Sequence, residues 1–133
     1  MAARRVLVIE DDAGSRDALG SLLAEDGYLV RTAPSGARGL ECAGEFRPDT
    51  VICDYHLPDM DGLSVLRHLR RQGAAVFFIA LTAGCGSGDD ERALREEADL
   101  FLGKPVDLIR LRALLGGGAP EADDLIAAGP ALN

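Results

Sequence analysis

Five short apolar runs, rich in β-branched and aromatic residues, recur along the chain, and amphipathic runs separate them. The runs cover residues 5–9, 28–32, 50–53, 76–81 and 100–102. Most are continuous rather than alternating, which is typical of strands buried on both faces of a parallel sheet. Strands that alternate with helices predict an α/β fold in which right-handed crossovers place helices on both faces of the sheet.

Helical spacing of apolar residues predicts the five helices. The first lies near 13–26 and ends at Gly27, and the second begins after Ser35. The third ends near Gly73, the fourth covers 89–98, and the last begins after Asp107 and ends at Gly116. Their predicted buried faces are Leu19, Leu22 and Leu23; Ala37, Leu40 and Ala43; Leu63, Leu66 and Leu69; Ala93, Leu94 and Ala98; and Leu108, Leu111 and Leu115. The fourth face is thin, so we expect that helix to be the least firmly packed.

Length and charge limit the classes of protein to consider. A chain of 133 residues can form one domain with a substantial core. We predict this domain over residues 1–116 and a flexible tail over 117–133. The net charge of −8 argues against direct binding to a nucleic-acid backbone. The sequence contains no apolar run of about 18 residues and no secretory signal, so we expect a cytoplasmic protein with no membrane contact. Three cysteines without CxxC spacing argue against a disulfide framework or a zinc site.

Polar residues follow four of the predicted strands at the point where each strand ends. Glu10, Asp11 and Asp12 follow the first strand, and Asp54 follows the third. Thr82 follows the fourth strand, and Lys104 comes one glycine after the fifth. Parallel strands bring their carboxyl ends to one edge of the sheet, where open α/β folds bind ligands. We therefore expect carboxylates, a hydroxyl and an ammonium group at one edge.

This set of groups suits phosphoryl transfer. Clustered carboxylates repel one another and need a cation, and hard oxygen ligands favour Mg²⁺ over softer metals. The metal and Lys104 could neutralise a transferring phosphoryl group, and Thr82 could donate a hydrogen bond to one of its oxygens. Asp54, which stands alone on a central strand, is the candidate nucleophile, since a carboxylate can form an aspartyl-phosphate.

Four motifs in order, VLVIEDD, VICDYHLPDMDG, ALTA and FLGKP, resemble the CheY-like receiver domain of two-component response regulators. The resemblance covers about residues 4–115. It implies a doubly wound, flavodoxin-like sheet with strand order 2-1-3-4-5.

The resemblance also implies a role for each site residue. Asp54 would be the phosphoacceptor, and Mg²⁺ would be bound by Asp11, by Asp54, by the backbone carbonyl of His56 and, through water, by Glu10. Thr82 and Phe101 would form the switch, with Thr82 and Lys104 assisting the chemistry and a cis bond preceding Pro105. The implied donor is a histidine kinase or a histidine phosphotransfer protein. The implied output is contact with a downstream protein, with phosphorylation-dependent homodimerisation as a further form of response.

Other residues have simpler interpretations. Asp12 and Asp61 are interpreted as helix caps, and Asp59 as a solvated loop residue. The Gly-rich segment 83–88 departs from common members of the family and suggests a mobile loop before the fourth helix, with Cys85 in it as a weak candidate for redox chemistry.

Three alternatives stay open. An aspartate-nucleophile phosphatase of the haloacid dehalogenase type would carry a second Asp where this chain has His56, so we expect a self-dephosphorylating acceptor rather than a turnover enzyme. A flavodoxin-like flavin site would place a phosphate against Glu10, Asp11 and Asp12, which would repel it. A degenerate receiver would act only as an interaction module.

Overall fold

A computed structural model of the chain describes residues 4–83 and 88–116. The strands are β1 (Arg5–Ile9), β2 (Leu29–Ala33), β3 (Thr50–Asp54), β4 (Phe77–Thr82) and β5 (Leu100–Gly103). The helices are α1 (Ala13–Glu25), α2 (Gly36–Phe46), α3 (Gly62–Arg71), α4 (Asp89–Glu97) and α5 (Leu108–Leu114). The predicted tail 117–133 and residues 84–87 of the Gly-rich segment, with Cys85, lie outside the described residues.

The strands form one parallel sheet in the order β2-β1-β3-β4-β5. This confirms the predicted doubly wound α/β fold with five helices. The central strand β3 is buried along its whole length. At the sheet edge, by contrast, β2 exposes three of its five residues, so burial on both faces holds for the inner strands and not for this edge strand.

Alternation along the strands divides the apolar side chains between two cores, one on each face of the sheet. In β1, Leu7 and Ile9 belong to the core that α2, α3 and α4 cover, and Val6 and Val8 belong to the core beneath α1 and α5. The leucines predicted to face the sheet from α3 and α5 are buried or half-buried, as are those of α1.

Helix starts agree with the predicted capping residues. The side chains of Asp12, Ser35, Asp61 and Asp107 each accept a hydrogen bond from a backbone N–H in the first turn of the helix that follows. A short polar side chain at this position replaces hydrogen bonds that the first turn cannot make internally. The interpretation of Asp12 and Asp61 as caps is therefore confirmed.

One prediction about α2 was wrong, and one contact at its first turn was not predicted. Ala37 is exposed, and Gly36 and Gly39 are the buried small residues of this helix. A side chain at Gly39 would collide with Ile9, because an added Cβ would lie 2.4 Å from its Cδ1 atom. Asp59 is an exposed loop residue, as predicted, but its carboxylate also accepts hydrogen bonds from the backbone N–H groups of Gly36 (2.9 Å) and Ala37 (2.8 Å).

Two boundaries affect the site directly. Asp54 and Thr82 are the last residues of β3 and β4, so the sheet itself fixes their backbones.

Among residues 4–83 and 88–116, no helix is both long enough and apolar enough to cross a membrane.

Candidate functional site

Three carboxylates meet at the carboxyl edge of the sheet. Glu10 follows β1, Asp11 comes next, and Asp54 ends the neighbouring strand β3. One oxygen from each carboxylate can be chosen so that all three lie within 4.8 Å of one another. Glu10 and Asp54 are buried, whereas Asp11 is exposed. The prediction that these side chains converge at one edge is therefore confirmed.

Lys104 connects two of these acids. Its ammonium group donates hydrogen bonds to Asp54 Oδ2 and to Glu10 Oε1, both at 3.1 Å. The side chain is 23% exposed, whereas that of Glu10 is 1% exposed. A cis peptide bond precedes Pro105, and the backbone N–H of Lys104 donates to the carbonyl of Thr82 at 2.7 Å. Pairing within the site thus joins β1, β3, β4 and the segment after β5.

Burial and mutual repulsion shape the electrostatics. Burial raises the pKa of Glu10, and the negative charge of Asp54 raises it further. Hydrogen bonds from the Asp12 N–H and from Lys104 lower the pKa, but its net direction is upward. Partial burial alone would lower the pKa of Lys104, but hydrogen bonds to Asp54 and Glu10, together with their charges, raise it. The ammonium group is thus held in its charged form beside two acids.

The surrounding backbone holds the acids in place. The guanidinium of Arg16 donates to the carbonyls of Glu10 (3.0 Å) and Asp11 (3.4 Å). Gly62, at the start of α3, packs directly against β3, since a Cβ there would lie 3.0 Å from the carbonyl oxygen of Asp54. Neither residue was predicted from the sequence as part of the site.

Thr82 and Phe101 both contact α4. The Thr82 hydroxyl donates to Glu91 Oε2 at 3.2 Å, and Glu91 is only 6% exposed. The Phe101 ring is half-buried, with the guanidinium carbon of Arg95 4.6 Å from its centroid. Glu91 was not predicted from the sequence either. Its signal is an acid three positions before Leu94, where the helical repeat would place an apolar residue.

His56 lies two residues beyond Asp54, in the loop before α3. Its ring is exposed and meets the Tyr55 ring edge-on, with centroids 4.7 Å apart. The loop turns sharply, because His56 bridges to Asp61 and the N–H of Gly62 donates to the carbonyl of Tyr55 at 2.7 Å. Among the residues that the structure describes, Cys42 is half-buried and Cys53 is buried, and both are free thiols.

The donor set fits a divalent cation with a preference for oxygen ligands. Three carboxylate oxygens within 4.8 Å of one another can be bridged by one ion, and Mg²⁺ takes one or two carboxylates together with waters and phosphate oxygens. Beside it, the Lys104 ammonium could neutralise a phosphoryl group. This arrangement can bind Mg²⁺ and present Asp54 to a phosphoryl donor.

Comparison with known proteins agrees with this geometry. The sequence profile described as "Response regulator receiver domain" matches residues 6–116. The response regulator MprA of Mycobacterium avium is 37% identical over 123 residues, covering 90% of this chain and 54% of that protein. This chain spans about half the length of the curated relatives that it matches.

Solved structures share the fold. A response regulator receiver domain protein from Clostridium thermocellum is 31% identical with a TM-score of 0.74, covering 86% of this chain and 93% of that chain. A CheY-like receiver domain protein from Methanospirillum hungatei superposes with a TM-score of 0.80 at 24% identity, over 92% of this chain and 98% of the other. The second likeness supports the fold alone.

Proposed function

This chain belongs to the response regulator receiver domain family of two-component signalling, and from that membership we propose that it is a phosphoryl-accepting switch with Asp54 as the acceptor. The observation that carries the proposal is the Lys104 ammonium held 3.1 Å from Asp54 beside the Glu10, Asp11 and Asp54 carboxylates. A carboxylate at this position can act as a nucleophile toward phosphorus, and its neighbours can bind the metal and stabilise the charge.

The proposed donor is a phosphohistidine on a histidine kinase or a histidine phosphotransfer protein. A carboxylate oxygen of Asp54 attacks phosphorus, a P–O bond forms, and the P–N bond breaks with its electron pair leaving on the imidazole, which takes up a proton. Water later attacks the same phosphorus, which releases inorganic phosphate and restores the Asp54 carboxylate. The protein is modified and then recovers, so we expect an acceptor that dephosphorylates itself.

Each remaining site residue has a proposed task. Asp11 and Asp54 would bind Mg²⁺ directly, Glu10 would bind it through water, and the backbone carbonyl of His56 would complete the protein ligands. When bound, the ion would neutralise charge on the phosphoryl oxygens. The support for this set is the grouping of the three carboxylates.

Thr82 and Phe101 are the proposed switch. The Thr82 hydroxyl would turn toward a phosphoryl oxygen, and the Phe101 ring would follow it inward. Both residues lie on neighbouring strands that end at this edge of the sheet. The resulting change of surface near α4 and α5 would be recognised by a downstream protein or by a second copy of the chain.

Covalent modification tests the acceptor. The protein is incubated with Mg²⁺ and a small acyl phosphate and followed by intact mass, with Asp54→Asn as the test variant and Asp59→Asn as a matched control from the same loop region. We expect one phosphoryl group on the wild type and on Asp59→Asn, and none on Asp54→Asn. Equal modification of all three would refute the assignment, and modification of none would favour a degenerate receiver.

A further inference from the structure

Helix α4 contacts both residues of the proposed switch. Glu91 accepts the hydrogen bond from Thr82, and Arg95 lies over the ring of Phe101. Residues four apart on a helix share one face, so Glu91 and Arg95 present a single surface to β4 and β5. One helix face therefore contacts the hydroxyl and the ring that the switch would have to move.

Glu91 is an unusual residue for its position. It is 6% exposed and lies one turn before Leu94, the fully buried leucine of the same helix. The helix dipole favours carboxylates in the first turn of a helix, but Asp89 and Asp90 already provide this negative charge from exposed positions. A third acid with its side chain buried therefore needs another explanation, since buried carboxylates are costly without hydrogen-bond donors.

A capping role does not account for it either. An acid at the third position of a helix can accept a hydrogen bond from the N-cap backbone N–H, in the arrangement known as a capping box. In α4 the N-cap is Gly88, which has no side chain with which to complete that arrangement. The Glu91 carboxylate instead reaches out of its own helix to the hydroxyl at the end of β4.

We propose that Glu91 is a positioning residue that holds the Thr82 hydroxyl toward α4 and competes for it with a phosphoryl group on Asp54. This inference rests on the proposed function and adds to it a residue that favours one of the two states of the switch. Turning Thr82 toward the phosphoryl group removes a donor from a buried carboxylate, which is unfavourable. Glu91 therefore favours the unphosphorylated arrangement.

The geometry suits a contact that can be released. An O–H donor to a carboxylate usually lies at about 2.5–2.7 Å, so the 3.2 Å bond here is long and correspondingly weak. A phosphoryl group has about two negative charges and three acceptor oxygens, whereas the Glu91 carboxylate has one charge and two oxygens. Modification of Asp54 would thus offer the Thr82 hydroxyl a stronger acceptor than Glu91.

Beryllofluoride titration in Mg²⁺, followed by amide resonances of Thr82 and Phe101, tests the proposal on the full chain. Glu91→Met keeps the side-chain length and removes the acceptor. We expect its half-saturation at roughly tenfold lower beryllofluoride, equivalent to about 1.4 kcal/mol. Glu91→Gln keeps a weaker acceptor and should change by a smaller factor. Glu96→Gln, which removes a charge from an exposed position on the same helix, should match the wild type.

A second substitution separates positioning from general effects on the fold. In a Thr82→Ala background the gain from Glu91→Met should disappear, because the contact acts through that hydroxyl. The unmodified Glu91→Met protein should also show Thr82 and Phe101 resonances moved toward their modified positions.

Specific results would overturn the proposal. It fails if folded Glu91→Met titrates like the wild type, or if its gain persists without the hydroxyl. Should Glu91→Met not fold, an unchanged half-saturation for Glu91→Gln would refute it equally. If no protein binds beryllofluoride, wild type included, the proposed function fails and this inference fails with it. Binding by the wild type with no effect at Glu91 refutes the inference alone.

Discussion

Replacing Lys104 with methionine removes the cation from the acid cluster while keeping an unbranched side chain of similar length. In the structure one ammonium group pairs with two carboxylates, those of Glu10 and Asp54, and both are buried. Removing one partner of a buried ion pair costs about 3–5 kcal/mol, because the other charge is left uncompensated. Lys104 is 23% exposed and water can replace part of its effect, so we expect a loss of about 2–4 kcal/mol in the free energy of unfolding.

Denaturant unfolding of wild type and Lys104→Met, each measured in chelator and in excess Mg²⁺, gives the relevant free energies. An ion that binds only the folded protein adds about 2.7 kcal/mol at a concentration one hundred times its Kd. We expect Mg²⁺ to add more stability to Lys104→Met than to the wild type, because the cluster then carries one more uncompensated negative charge. The defect of the variant should therefore shrink when the metal is present.

Arg67→Met provides the control. Arg67 pairs with Glu97 at 2.6 Å, but the two side chains are 48% and 40% exposed, and such surface pairs contribute about 0–1 kcal/mol. Its removal should cost little, with no difference between chelator and Mg²⁺. The electrostatic reasoning is refuted if Lys104→Met is as stable as the wild type in chelator. It is refuted equally if Mg²⁺ stabilises both proteins by the same amount.

Four further substitutions test the packing and capping of α2 and α3. Gly62→Ala should slow acyl-phosphate modification about tenfold, because its methyl group would displace the backbone of Asp54; a wild-type rate would contradict this. Gly39→Ala should lower the unfolding free energy by about 1–3 kcal/mol through overpacking. Gly44→Ala, with open space around it, should raise that free energy by about 0.5–1 kcal/mol, so effects of equal sign would refute the contrast. Hydrogen bonds from two α2 amides lower the pKa of Asp59 in the folded protein. The ionised carboxylate therefore contributes its full stabilisation of the fold above the unfolded-state pKa of about 3.9, and this contribution is lost as the pH falls through the lower folded-state pKa. The stability difference between wild type and Asp59→Asn should shrink over that acid range, and a constant difference would count against the cap.

Features set by neighbouring residues could be predicted from the sequence. The caps at Asp12, Ser35 and Asp61 depend on a side chain and an amide three residues later. Convergence of Glu10 and Asp54 was also predictable, because parallel strands must bring their ends to one edge. The bounds of β1 match the prediction, and the carboxyl ends of the other four strands lie one residue beyond their predicted ends, which is the usual uncertainty of boundaries.

Contacts between elements distant in the chain could not be predicted in this way. Asp59 caps α2 from a loop more than twenty residues away, and nothing in its local sequence indicates that partner. Arg95 over Phe101 and Glu91 beside Thr82 depend on how α4 packs on the sheet, which periodicity does not define when the apolar stripe is thin. The sequence does show an acidic residue, Glu91, on the apolar stripe of α4. Its contact with Thr82 follows only from the way in which α4 packs on the sheet.

The charges at the carboxyl edge connect the metal site with the switch. Glu10, Asp11 and Asp54 bring three negative charges together and Lys104 offsets one of them, which leaves an excess that one divalent cation would neutralise. A phosphoryl group on Asp54 would then carry about 1.5–2 negative charges in place of the single charge of the carboxylate. That charge needs hydrogen-bond donors, and the Thr82 hydroxyl lies one residue beyond Leu81, the cross-strand partner of Asp54. Because Glu91 already accepts from that hydroxyl, we expect the proposed switch to depend on competition between this carboxylate and a phosphoryl group on Asp54.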